Sequence, residues 1–90
     1  MKTVWKFPVQ IDDRVNVRLP MGATILTVDM QGDQLCLWAL VDPDASLNKV
    51  RTLRIAGTGH PITDEAVDHL GTFFLHDRAL VFHVFDVVPF

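Results

Sequence analysis

The stretch Asp13-Arg14-Val15-Asn16-Val17-Arg18-Leu19 decides the class of fold. Successive side chains of an extended chain point to opposite faces, so Val15, Val17 and Leu19 gather on one side and Arg14, Asn16 and Arg18 on the other. A helix would mix the two sets, whereas a half-buried strand separates them. Outward from this stretch the same rhythm repeats, with short apolar or alternating runs broken by Pro, Gly and Asp. Lys2–Phe7 alternates Lys2, Val4 and Lys6 against Thr3, Trp5 and Phe7, and Pro8, lacking a ladder donor, is expected to end it. After a turn at Pro20-Met21-Gly22, Thr24–Gln31 is expected to turn Leu26, Val28 and Met30 inward. Gly32-Asp33 is expected to close a two-residue hairpin with positive φ at its first position. Gln34–Val41 is apolar on both faces and reads as a central strand, which Asp42-Pro43-Asp44 breaks.

Beyond the Asp42–Leu47 connection, the one candidate for a flexible segment, Asn48–Ala56 is β-branched and basic, and Gly57-Thr58-Gly59-His60-Pro61 is a loop. The one helical candidate is Asp64–His69, one or two turns long, with Thr63 as cap and Asp64 and Glu65 at the positive end of its dipole. His69–His76 and Ala79–Val88 form a closing pair around Asp77-Arg78. The expectation is an all-β fold: a small antiparallel β-sandwich or partly open barrel of six to seven strands, with at most one short helix. Its core would hold Trp5, Leu26, Val28, Leu37, Val81 and Phe85, or their neighbours if the parity shifts by one.

Ninety residues suffice for one core, so residues 1–90 are expected to form a single domain. Half the chain is apolar (49%), mean hydropathy is +0.24 and 21% of residues are charged, which excludes disorder. The net charge of −3 argues against strong nucleic-acid binding through bulk electrostatics. No apolar stretch reaches the length of a membrane helix, and Lys6 and Pro8 interrupt any signal-peptide core, so a cytoplasmic location is expected. The lone Cys36 in Leu35-Cys36-Leu37-Trp38 reads as a buried thiol in a reducing compartment. So apolar a small chain is expected to cover surface by homo-oligomerisation, most simply as a dimer.

Seven of the eight basic residues, Lys2, Lys6, Arg14, Arg18, Lys49, Arg51 and Arg54, fall in the strand-like runs. On neighbouring strands they would form a cationic patch, with Arg14, Arg18 and Arg51 sharing one solvent face; equally, they could guard strand edges against aggregation. The loop Gly57–Pro61 allows close backbone approach and a concave set of amides, and His60 in it can donate, accept or transfer a proton. Thr58, Gly59, His60, Arg51 and Arg54 are therefore the candidate ligand- or partner-binding residues. The alternative is a tight turn whose Thr58 and His60 bond back onto neighbouring backbone. The loop has neither the Gly-Lys-Ser/Thr ending of a P-loop nor a dinucleotide fingerprint. His60, His69, His76 and His83 lack metal-ligand spacing, so no metal and no cofactor is expected, and His83 between Phe82 and Val84 reads as a hydrogen-bonded core imidazole.

Four segments carry a resemblance: the N-terminal Lys-Thr-Val-Trp-Lys-Phe, the run Leu37-Trp38-Ala39-Leu40-Val41-Asp42, the loop Gly57-Thr58-Gly59-His60-Pro61-Ile62, and Leu80-Val81-Phe82-His83-Val84-Phe85. With these the chain resembles a family of short bacteriophage and prophage proteins of unknown function, most specifically in its Gly-Thr-Gly-His-Pro-Ile element. The resemblance implies a phage origin and a small β-rich fold, and no activity. The expected function is that of a non-enzymatic phage accessory protein in the host cytoplasm. It would bind a host or defence protein or sequester a small anionic, nucleotide-like ligand. The alternatives are a minor virion or assembly component, and a small enzyme using His60 as general base.

Overall fold

A computed structural model describes residues 1–64 and 67–88. Its strands are β1 (Thr3–Val9), β2 (Arg14–Pro20), β3 (Thr24–Gln31), β4 (Gln34–Val41), β5 (Asn48–Gly57), β6 (Val67–Leu75) and β7 (Leu80–Val87). All pairings are antiparallel, in one sheet of order β1-β4-β3 and a second of order β2-β5-β7-β6. The fold is thus all-β, seven strands in two open sheets. Apolar β4 is the centre of the three-stranded sheet, as its two hydrophobic faces demand. The β3–β4 hairpin turns on Gly32-Asp33, with Gly32 at φ 60°.

The expected helix is absent among the described residues. Asp64 lies in the loop before β6, Glu65 and Ala66 fall outside the described residues, and Val67 and His69 pair with Val87 and Phe85 of β7. Capping signals over so short a segment are worth less than a sheet ladder, because a helix of one or two turns does not stand by itself.

The core lies between the sheets and includes Leu19, Val28, Leu37, Leu53, Phe73 and Val84. Val28 and Leu37 are buried as expected; Trp5, Leu26, Val81 and Phe85 are not. The register of β3 shifts between Ile25 and Thr27, so Ile25 packs on the core in place of Leu26, which is 51% exposed. On β7, Phe82 and Val84 stand opposite Gly57 and Ile55, which puts Val81 and Phe85 on the outer face. Trp5 stands opposite the buried Ala39 but on an edge strand, and remains 41% exposed. The sheets approach most closely where β3 passes β6: a Cβ on Gly71 would lie 2.7 Å from Val28 Cγ2 and 3.0 Å from the Val28 carbonyl oxygen.

Each of the four edge strands carries a feature that discourages further pairing. β1 contains Pro8 and β2 ends in Pro20, while β3 is irregular at Ile25/Thr27 and β6 at His69/Gly71. Contrary to expectation, β1 runs through Pro8 to Val9, since an edge strand loses no ladder bond when a proline nitrogen faces away from its one neighbour.

Candidate functional site

β5 ends at Gly57, opposite Phe82. The chain then turns back: the His60 N–H donates to the Gly57 carbonyl (3.0 Å), the Thr58 N–H donates to the Val81 carbonyl (3.3 Å), and Gly59 takes a φ of +86° that disfavours any residue with a Cβ. The two amides are thereby spent on backbone carbonyls, unlike the open anion cradle that the glycines allow in principle. Gly57 serves a different need. A Cβ there would lie 3.0 Å from Cε1 and Nδ1 of His60, so the bare backbone lets the imidazole fold down onto the strand end while His60 itself stays exposed.

The Thr58 hydroxyl is committed to a side-chain chain on the outer face of the four-stranded sheet. It lies 2.7 Å from His83 Nε2; His83 Nδ1 lies 3.1 Å from the Thr72 hydroxyl, which lies 3.3 Å from His69 Nε2. A hydroxyl donates or accepts, so either tautomer of His83 is satisfied. His83 is accordingly hydrogen-bonded through both ring nitrogens, but half-buried on the outer face and not in the core.

Arg54 stands beside the loop and is engaged on every nitrogen. One terminal nitrogen donates to the Asp13 carbonyl (3.1 Å) and the Ile55 carbonyl (3.0 Å), the other to the Pro61 carbonyl (3.3 Å), and Nε faces Asp64 Oδ1 at 3.4 Å. Arg14, directly across from Arg54 in the β2–β5 register, pairs with Asp64 Oδ2. These two arginines therefore knit the 11–13 turn and the 58–64 loop to the sheet.

Arg51 is elsewhere. It stands opposite Val17, on the inner face with Val15 and Leu19, and pairs with the buried Asp86 of β7. The expected patch of Arg14, Arg18 and Arg51 does not form, because Arg51 has the parity of the core positions Leu53 and Ile55, opposite to that of Arg14 and Arg18. Of the five candidate residues, Thr58, Gly59 and His60 lie together with Arg54 adjacent, and Arg51 lies on the other side of the sheet. β1 belongs to the other sheet, so Lys6 does not extend the basic row of β2. Its ammonium instead donates to Gln31 Oε1 (2.5 Å).

Two clefts flank His60 and share Gly57, His60 and Phe82. One, about 370 Å³, is completed by Thr58, Ala79, Leu80 and Val81. The other, about 250 Å³, is completed by Ile11, Asp12, Asp13, Arg54, Ile55 and Ala56. Sequence reading missed Ile11–Asp13 and Ala79–Phe82 as site residues, because only the β2–β5 and β5–β7 pairings bring them to the loop. Among the described residues, no three His, Cys, Asp or Glu side chains are grouped to hold a metal ion.

A family model for a domain of unknown function (DUF7352) matches residues 1–89. The chain belongs to this family. No curated protein and no solved structure matches it. The DUF7352 match spans both sheets and the His60 loop. Among the described residues, no helix is long and apolar enough to cross a membrane.

Proposed function

We propose that this DUF7352 domain is a non-enzymatic accessory protein of phage type that works in the host cytoplasm by binding another protein through the His60 loop. The observation that carries this reading is the pair of clefts about His60. The His60 imidazole, folded onto the end of β5, lies between an apolar hollow, rimmed by the exposed Leu80, and a second hollow floored by Ile55 and Ala56. Recognition surfaces of this kind combine an aromatic or apolar anchor point with a few fixed polar groups. A protein partner is favoured over a small anion because Arg54, Arg14 and Arg51 are already engaged by Asp64 and Asp86. An anion would have to displace those carboxylates. Exposed Val4 and Leu26 on the three-stranded sheet support self-association into a dimer by a separate surface; light scattering that returns the 10.1 kDa monomer mass would refute that part.

The test of the binding reading is site-specific photo-crosslinking in host cells. A crosslinker at position 60 or 80 should capture the same host protein, whereas one at the exposed Arg18 position should not. Equal capture from all three positions, or none from 60 and 80, refutes it.

A further inference from the structure

The smaller cleft beside His60 has an acidic mouth and an apolar floor. Ile55 and Ala56 are nearly inaccessible at its base and Phe82 closes one wall. Asp12 and Asp13 stand at the rim, exposed to solvent. Asp13 is loosely paired with Arg54, and among the described residues Asp12 shows no ion pair. Asp12 Oδ1 accepts the Asp13 N–H (2.7 Å), and Asp13 Oδ1 lies 3.9 Å from an Arg54 nitrogen while its side chain is 93% exposed. Arg54 keeps its full charge while it bonds three carbonyls, and that charge is offset by Asp64 at 3.4 Å. With Arg14 also on Asp64, three carboxylates face two guanidiniums, and one negative charge remains uncompensated where the cleft opens. The whole chain carries the same sign, at −3.

From this charge and shape we infer that the cleft between the Ile11–Asp13 turn and His60 receives a lysine or arginine side chain of the docked protein. Long basic side chains suit such a cavity because their methylene stem packs on apolar walls while the charged head stays at the wet rim. Asp12 and Asp13 supply the acceptors for the head, and Ala56 and Phe82 the surface for the stem. The inference rests on the proposed binding through His60 and adds the chemistry of the bound segment: a basic residue on one side of the imidazole and an apolar one over Leu80 on the other.

The experiment is amide chemical-shift mapping on the intact protein with three capped tripeptides, Ac-Ala-Arg-Ala-NH2, Ac-Ala-Leu-Ala-NH2 and Ac-Ala-Glu-Ala-NH2. The arginine peptide should shift the amides of residues 11–13 and 55–57 in a saturable manner. The Asp42-Pro43-Asp44 turn, a second acidic pair with no lining role in this cleft, serves as internal control and should stay unmoved. The double variant Asp12→Asn/Asp13→Asn should bind the arginine peptide roughly fivefold more weakly, the scale of two solvent-exposed ionic contacts. Equal shifts at residues 42–44, an equal response to the leucine or glutamate peptide, or unchanged affinity in the double variant overturns the inference. Photo-crosslinking from position 60 in that variant separates the two proposals. Capture of the host protein undiminished, with no arginine response in the mapping, leaves the binding reading standing and removes the basic anchor.

Discussion

The space between the sheets and the outer face of the four-stranded sheet each hold a buried aspartate against arginine, and they do so on different terms. Asp86 sits inside, its side chain 5% exposed, opposite an Arg51 that is itself only 11% exposed, and Asp86 Oδ1 has no hydrogen-bond donor. Asp64 is as deeply covered at 3%, and its Oδ1 likewise lacks a hydrogen-bond donor, but it meets two guanidiniums, one of them, Arg14, 55% exposed. The inner pair has both charges removed from water and so depends on its partner; the outer cluster shares its charge with solvent and serves to fasten a loop. Equal burial of an ion thus says little about what its loss would cost, because the solvation of the partner decides it.

The strongest way to break the comparison is Arg51→Met. It strands the Asp86 carboxylate between the sheets and should cost about 3–5 kcal/mol, read from the urea midpoint. Arg51→Met/Asp86→Leu should recover most of that loss, and a double variant no more stable than the single would refute the account. Gly71→Ala tests the interior by shape, without charge: the new methyl meets Val28 in both side chain and backbone, and unfolding should show a loss of about 2 kcal/mol. On the outer face, Asp64→Ala should cost about 1.5 kcal/mol, the low end for charged hydrogen bonds because Arg14 is half in water, and Arg14→Ala alone less than about 1 kcal/mol. Within the loop, Thr58→Val should lose about 1 kcal/mol with its bond to His83. His60→Ala should leave the melting temperature unchanged, because its backbone bond to Gly57 survives and its ring is exposed. A several-degree fall on His60→Ala would make the imidazole a structural brace.

How far these features were legible in the chain differs from one to the next. The Val15/Val17/Leu19 alternation, the doubly apolar β4 and the Gly32-Asp33 hairpin are local signals, and the structure has them where the sequence puts them. Leu26 is lost to a one-residue irregularity that reverses parity and has no local signature. The segment after Thr63 carries helix-start residues, yet Val67–Leu75 obeys its long-range partner β7. Arg51 is instructive because its sign was available. It shares parity with Leu53 and Ile55, as Asp86 does with Phe82 and Val84, so two opposite charges on core-facing positions of two strands mark an internal pair. Weighting Arg51 by its charge and not by its parity puts it on the surface. The acidic mouth of the cleft could not be read at all, since Asp12 and His60 meet only through the β2–β5 ladder.

The pairing order has a consequence for how the protein is made. β1 takes its only hydrogen-bonded neighbour from β4 and β2 from β5, each more than two strands' length later in the chain. At synthesis rates of about 5–20 residues per second, the chain from just after Val9 through Val41 takes roughly two to six seconds to add. Through that interval both segments lack the strands they pair with, the state most exposed to misassociation. Pro8 and Pro20 are then in place before any sheet exists, so the residues that blunt the finished edges also protect the nascent chain from its neighbours on the same message.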